Sequence, residues 1–208
     1  MVAARGSRDR AGVNRAELDR AEPDRAELAP PLDALIVGAG TTGLALALQA
    51  HDHGARVRII ERRAEAFRPT RALMMHPRTL EVLRPFGVSA ALLDAGDASL
   101  SAQLHLGKRV MPIGLQTLDL AGTAFPHLLI VPQAKVEAVL TRALADRGID
   151  VERGAGLIGL RHSDGRHATV VVDHGGTVEE VTCRFVAGCD GPDSTVRRLA
   201  GIRWAGRQ

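Results

Sequence analysis

Two short stretches of this chain have residue types and spacing suited to holding phosphates and sugar hydroxyls. The first, "LIVGAGTTG" at residues 35–43, sets Gly38, Gly40 and Gly43 in the order G-x-G-x-x-G between an apolar run and a helical pattern. Gly38 permits a tight turn, Gly40 lets the backbone approach a pyrophosphate, and Gly43 lets the helix pack on the strand. The helix that opens there, with Thr42 in its first turn, points free N–H groups at the phosphates. Glu61 ends the next apolar run, 23 residues after Gly38, where a carboxylate accepts hydrogen bonds from ribose hydroxyls. Arg62 follows it and is assigned to the same site. FAD and NAD share this fingerprint, so the turn alone does not choose between them. The second stretch, "AGCDGPDSTVR" at residues 187–197, reads as a strand end, a Gly-Asp-Gly turn and a helix start. By itself it reads as an ordinary type I turn with Asp193 or Ser194 capping the helix.

The elements that must position these turns follow from periodicity. "DALIVG" is a buried strand, "TTGLALALQAHDHG" a helix closed by Gly54, and "ARVRIIE" a second strand. "HPRTLEVLRPFG" reads as one helix ending at Gly87, with a shorter helix over "SAALLDAG". The runs "ASLSAQLHL" and "KRVMPIGL" form a hairpin at Gly107. "HLLIVPQ" is a buried strand leading into the helix "AKVEAVLTRALADRG". The runs "IDVERGAGLIGLRHSD", "RHATVVVDH" and "TVEEVTCRFVAGCDG" are separated by the turns "SDGR" and "HGGT", which suit hairpins. The expected fold is α/β: a Rossmann-like parallel sheet with an inserted antiparallel β-meander.

Residues 1–31 are expected to be a disordered tail and 32–208 the folded domain. The tail carries the five-residue near-repeat "RAELDRAEPDRAEL", which matches neither the helix nor the strand period and is broken by Pro23. Pro30-Pro31 marks where folding begins. The 208 residues are 45% hydrophobic but only 2% aromatic, so the core must be aliphatic. The formal charge is +3, without a Lys/Arg block or interleaved aromatics, which argues against a nucleic-acid partner. Cys183 and Cys189 lack a metal-ligand pattern and read as reduced thiols. His51, His53 and His76 have no companion ligands, and Arg78 and Glu81 sit at helical spacing to pair with each other. The apolar stretch from Leu32 to Ala50 contains Asp33 and several glycines, which favours a buried strand and helix over a membrane span. No signal peptide is expected, and the location expected is cytoplasmic.

The body of the chain, from about Asp33 to Ile202, resembles the N-terminal part of the FAD-dependent aromatic hydroxylases. These are the single-component flavoprotein monooxygenases related to para-hydroxybenzoate hydroxylase. "LIVGAGTTGLALALQAHDHGARVRIIERR" resembles the family's first motif, with Thr41 where Pro is more usual. "TRALMMHPRTLEVLRPFG", "LLIVPQAKVEAVL" and "FVAGCDGPDSTVRRLAGI" resemble three further segments. The resemblance implies that Asp190 and Gly191 lie near the pyrophosphate and ribityl region of FAD, with Ser194 and Arg197 supporting their turn. It also implies that Arg71 contacts FAD, a guanidinium being suited to bidentate bonds with phosphate. Gln133 either reaches the flavin's sugar chain or bonds its own helix backbone.

The function so implied is hydroxylation of a small aromatic substrate through a flavin hydroperoxide, with NADH or NADPH as electron donor. The family pattern continues past "RWAGRQ" with another Gly-Asp motif and most of the substrate-binding region. Two alternatives stand beside this reading: a non-catalytic fragment with weak or no FAD binding, and an NAD-linked dehydrogenase. No residue is assigned a catalytic role.

Overall fold

Strand β1 (Leu32–Val37) is apolar on both sides because both of its faces are covered. The computed structural model describes residues 32–66, 72–98, 101–114, 122–126, 128–162 and 165–205. The tail, Arg71, and Ser163 and Asp164 of the "SDGR" turn lie outside them. After β1 come α1 (Thr41–Asp52), β2 (Val57–Glu61), β3 (Ala72–Met75), α2 (Pro77–Leu83) and α3 (Ser89–Ala95). The hairpin β4 (Ser101–Leu106) and β5 (Arg109–Gly114) precedes β6 (Leu129–Pro132) and α4 (Gln133–Ala145). The chain continues through β7 (Val151–Arg153), β8 (Gly156–His162), β9 (Ala168–Asp173), β10 (Val178–Gly188) and α5 (Thr195–Leu199).

The main sheet has the order β7-β2-β1-β10-β9-β8. Its first four strands are parallel and its last three form the antiparallel meander, so β10 belongs to both. That is possible because β10 is eleven residues long. Val178 to Cys183 pair with β9, and Cys183 to Gly188 pair along β1. The stretch 149–164 divides between the two parts: β7 joins the parallel edge beside β2, and β8 starts the meander. Outside this sheet, β3 pairs with β6 and β4 with β5.

Side chains alternate along β1, and the two faces feed two cores. Ile36 and Ile59 pack with Leu44 and Leu48 of α1 and with Leu140 and Leu144 of α4, in the helical layer. Leu35, Val37 and Ile60 pack under Val170, Val172, Val181 and Leu157 of the meander. Arg58 lies on this second face, in register with Leu35. Its guanidinium bonds Glu152 of β7 at 2.7 Å and Glu179 of β10 at 2.6 Å, and His174 meets Glu179 at 3.0 Å. These charges tie the meander's distal turn to the parallel strands. The two hydrogen-bonded carboxylates raise the Arg58 pKa, while the Arg58 hydrogen bond brings Glu179 down to about 2.

The single helix read over residues 76–87 is shorter than the sequence suggests. It ends at Leu83 and continues as a 3-10 turn over Arg84–Phe86. Pro85 has no N–H to bond the carbonyl four residues back, which ends the α-helical ladder. Gly87, at φ 76°, then turns the chain. No helix among the described residues is long and apolar enough to cross a membrane.

Candidate cofactor site

The carboxyl ends of β1, β2 and β10 lie side by side, Val37 being in register with both Ile60 and Gly188. The chain leaving β1 is held between its neighbours: Gly38 N–H donates to the Ile60 carbonyl and Cys189 N–H to the Val37 carbonyl, both at 2.8 Å. Above these strand ends is a cleft of about 390 Å³. This is where an open α/β sheet binds ligands.

The three glycines of the first turn have different physical reasons. Gly38 has φ +104°, and a Cβ there would lie 2.6 Å from the Cys189 carbonyl carbon. The first turn therefore rests directly on the backbone of the second. A Cβ on Gly43 would fall on the Gly38 carbonyl oxygen, and would lie 3.2 Å from the Cys189 Cβ. Gly40 differs. Its backbone is extended, φ −78° and ψ 179°, which any residue adopts. The nearest heavy atom to its Cβ position is Glu137 Oε1, 3.9 Å away. Among the described residues, neither conformation nor packing requires glycine there. Gly40 is also the N-cap of α1, a helix with no side-chain cap and no acid in its first turn. Its N-terminal N–H groups are thus available to an anion.

Glu61 approaches this turn from the sheet. Its Oε2 accepts from Ala39 N–H and its Oε1 from Arg63 N–H, each at 3.0 Å. A carboxylate has further lone pairs, so Glu61 braces the turn and retains acceptor capacity. Arg62 lines the cleft, as does Arg153, the register partner of Glu61 on β7. Neither guanidinium has a partner among the described residues. Thr42 is exposed on α1 and does not line the cleft, and Gly43 is buried beneath it.

The second turn closes on itself. Asp190 Oδ1 accepts from Ser194 Oγ at 2.5 Å, and its Oδ2 accepts from the amides of Thr195 at 2.6 Å and Val196 at 3.2 Å. Ser194 Oγ in turn accepts from Arg197 N–H at 3.0 Å and caps α5. Burial opposes charge on Asp190, but these hydrogen bonds outweigh it and hold the carboxyl below its ordinary value. Asp190 and Gly191 both line the cleft; Gly191 has φ +83° and open space beyond its Cβ position. The Arg197 guanidinium sits 5.0 Å over the Trp204 ring. Cys183 and Cys189 are free thiols, both pushed up by burial and the second also by the Asp190 charge.

Gln133 opens α4 at the cleft, and its amide nitrogen donates to Glu137 Oε1 at 2.8 Å. It bonds a side chain one turn on, and not its own backbone. Glu137 and Arg153 are cleft residues that sequence reasoning missed. Glu137 had a signal: it sits on the buried stripe of α4 with Val136, Leu140 and Leu144, where an acid is out of place. Arg153 had none, because its position depends on the pairing of β7 with β2. The pair expected of Arg78 and Glu81 is present at 3.0 Å.

The cleft thus sets the uncapped end of α1 at Gly40 and the guanidiniums of Arg62 and Arg153, without partners among the described residues, against the carboxylates of Glu61 and Glu137. The first set suits an anionic centre and the second suits hydroxyl donors. A dinucleotide carries both, a pyrophosphate between hydroxylated sugars, and the residues present fit FAD in that respect.

Comparison with known proteins agrees. Residues 31–208 match the FAD binding domain family. The rifampicin monooxygenase of Streptomyces venezuelae is 34% identical over 174 residues, 84% of this chain and 35% of that protein. The anhydrotetracycline hydroxylase OxyS from Streptomyces rimosus superposes with a TM-score of 0.72 at 34% identity, covering 86% of this chain and 36% of that one. An aklavinone-11 hydroxylase, solved as a ternary complex with FAD and aklavinone, superposes at 0.74 with 26% identity, covering 84% and 36%. This chain therefore spans about a third of the length of the relatives it matches. It belongs to the FAD binding domain family, and corresponds to the N-terminal portion of flavin-dependent aromatic monooxygenases.

Proposed function

We propose that the cleft is the FAD site of an NAD(P)H-dependent monooxygenase that hydroxylates an aromatic compound. The observation that carries this reading is the room at Gly40, whose Cβ position meets only Glu137 Oε1, at 3.9 Å, among the described residues, at the uncapped N-terminus of α1. In it the pyrophosphate lies over Gly40 against the first-turn amides of α1, including that of Thr42, with Gly38 and Gly43 shaping the turn. Glu61 accepts the adenosine ribose hydroxyls, and Arg62 supplies positive charge beside it. Gln133, Asp190 and Gly191 line the side toward the ribityl chain, and Arg71 is assigned to the phosphates by resemblance alone. Residues 32–208 form the binding unit, behind a tail of residues 1–31.

The bound cofactor supplies the electron-transfer and oxygen chemistry of the hydroxylation. The chain's own residues bind and orient it. The apolar strand ends and the meander wall, from Ala155 to Leu157, keep water from one side of the cleft. The aromatic substrate is part of the proposal because relatives named for rifampicin and anhydrotetracycline share this domain. A cytoplasmic location accords with the two free thiols.

The test is a visible absorption spectrum of the purified 208-residue chain after adding FAD and removing the excess. A retained flavin band that disappears in Gly40→Val supports the site. A colourless protein overturns it. Oxidation of NADH or NADPH by the loaded chain then decides whether these residues turn over or only bind.

A further inference from the structure

Glu137 is nine-tenths buried, with 9% of its surface exposed, and lines the cleft from the helical layer. A carboxylate so placed is expensive unless its oxygens receive hydrogen bonds. Only one does. Oε1 accepts from Gln133 at 2.8 Å, and among the described residues no donor meets Oε2. The packing on α4 explains why the helix turns this face inward, since Val136, Leu140 and Leu144 on the same stripe are buried against α1 and β1. It does not explain an acid at position 137, where a leucine would complete the stripe.

The acid also stands close to where an anion is expected, since Glu137 Oε1 is the nearest heavy atom to the Cβ position of Gly40. A bare carboxylate there would repel a pyrophosphate. The arrangement is favourable only if the ligand brings hydrogen-bond donors to the carboxylate as well as its phosphates. In a flavin dinucleotide the donors next to the pyrophosphate are sugar and sugar-alcohol hydroxyls. The ribose side already has Glu61, which approaches the turn from the sheet through Ala39 N–H. Glu137 approaches from the other layer, beside Gln133.

We infer that Glu137 is a cofactor-positioning residue, accepting a hydroxyl hydrogen from the polyhydroxylated ribityl chain while it orients the Gln133 amide. Gln133 donates its N–H to Glu137, which leaves the carboxamide oxygen as a second acceptor on the same side of the cleft. The two side chains act as one acceptor unit for a sugar alcohol. This inference rests on the assignment of the cleft to FAD.

The experiment compares FAD with ADP, which keeps the ribose and the pyrophosphate but lacks the ribityl chain. Dissociation constants for the full 208-residue chain come from flavin fluorescence for FAD and from competition for ADP. In Glu137→Leu, FAD binding weakens by about tenfold or more, the loss typical of a hydrogen bond to a charged group, and ADP binding is unchanged. Glu137→Gln, which keeps an acceptor oxygen, recovers most of the FAD affinity. Gln133→Leu weakens FAD selectively as well, and the double variant is little worse than either single one. The visible band of bound FAD shifts in Glu137→Leu and returns in Glu137→Gln, a change that altered packing alone would not produce in that pattern.

Unchanged FAD affinity in Glu137→Leu overturns the inference and leaves the FAD site standing. Equal losses for FAD and ADP reduce Glu137 to a structural part, and tighter binding of both would make it a source of repulsion. If Glu137→Leu does not fold, Glu137→Gln and Gln133→Leu still carry the comparison. Failure of the unaltered chain to bind FAD overturns the site assignment itself, a distinct result.

Discussion

The two turns above the sheet look alike in sequence, each a glycine-containing link from a strand to a helix, yet they end differently. The turn after β1 leaves the N-terminus of the twelve-residue α1 without a side-chain cap, and among the described residues the nearest atom to the Gly40 Cβ position is Glu137 Oε1, at 3.9 Å. The turn after β10 spends its polar side chains on itself, with Asp190 and Ser194 taking the first amides of the five-residue α5. The first turn therefore leaves the amides at its helix start without a side-chain acceptor, and the second supplies its own. The second also supports the first, because Gly38 rests on the Cys189–Asp190 backbone. A long ligand needs both: one end of a helix to hold its charge, and a fixed wall to set its direction.

Substitutions should separate these roles, and the largest effect belongs to the glycine under both turns. In Gly43→Ala the added methyl meets the Gly38 carbonyl oxygen, which is backbone and cannot rotate away. Overpacking of this kind costs about 3 kcal/mol, and FAD binding should be lost with it. Chemical denaturation and a flavin titration check both; a variant as stable as the parent would break the account of how the turn packs.

Gly40→Ala is the sharper contrast. Its Cβ has 3.9 Å of room, so stability should stay within about 1 kcal/mol of the parent. FAD affinity should fall at least tenfold, about 1.4 kcal/mol, because the methyl occupies the path of the pyrophosphate. Wild-type affinity in this variant would remove the distinction between the turns.

Asp190→Ala should show the opposite balance. It removes the acceptor of the first two amides of α5 and of the Ser194 hydroxyl, and loss of these hydrogen bonds costs about 2 kcal/mol, visible in the denaturation midpoint without any ligand. A variant with unchanged stability and abolished FAD binding would make Asp190 a direct ligand, and the second turn would then resemble the first.

How much of this was legible follows from how local each feature is. The succession β1, glycine turn, α1, β2 could be read directly, because each element is defined within its own few residues and the turn demands glycine at 38 and 43. The meander could be read from its alternation and its Gly-Gly turn. The pairing of β3 with β6 could not, because β3 is four residues long, too short to display a period, and its partner is more than fifty residues away. The same distance hid Arg153 and the Arg58 charges, whose partners are fixed by register between strands far apart in sequence. That Asp190 belongs to the turn is legible from the Gly-Asp-Gly order. The direction of its carboxylate, into α5, depends on the fold of the turn and not on its composition.

The smallest expected effect tests a region away from both turns. Glu179, held down to about 2 mainly by its hydrogen bond with Arg58, is protonated less readily in the folded chain than in the unfolded one. Its contribution to stability is therefore complete above its ordinary value of 4.5 and is lost as pH falls from there toward 2. The side chain is 43% exposed, so salt screens it and the change should be modest. Asp190 is also held down, so it contributes in the same direction below its ordinary 3.8. Glu179→Gln should flatten the acid limb of the denaturation midpoint down to pH 2 and leave FAD affinity at pH 7 unchanged, since these charges tie the meander to the sheet without lining the cleft. If the acid limb keeps its slope in Glu179→Gln and loses it in Asp190→Ala, the turn and not the meander clamp governs acid stability. The second turn would then matter more to acid stability than the charges that tie the meander to the parallel strands.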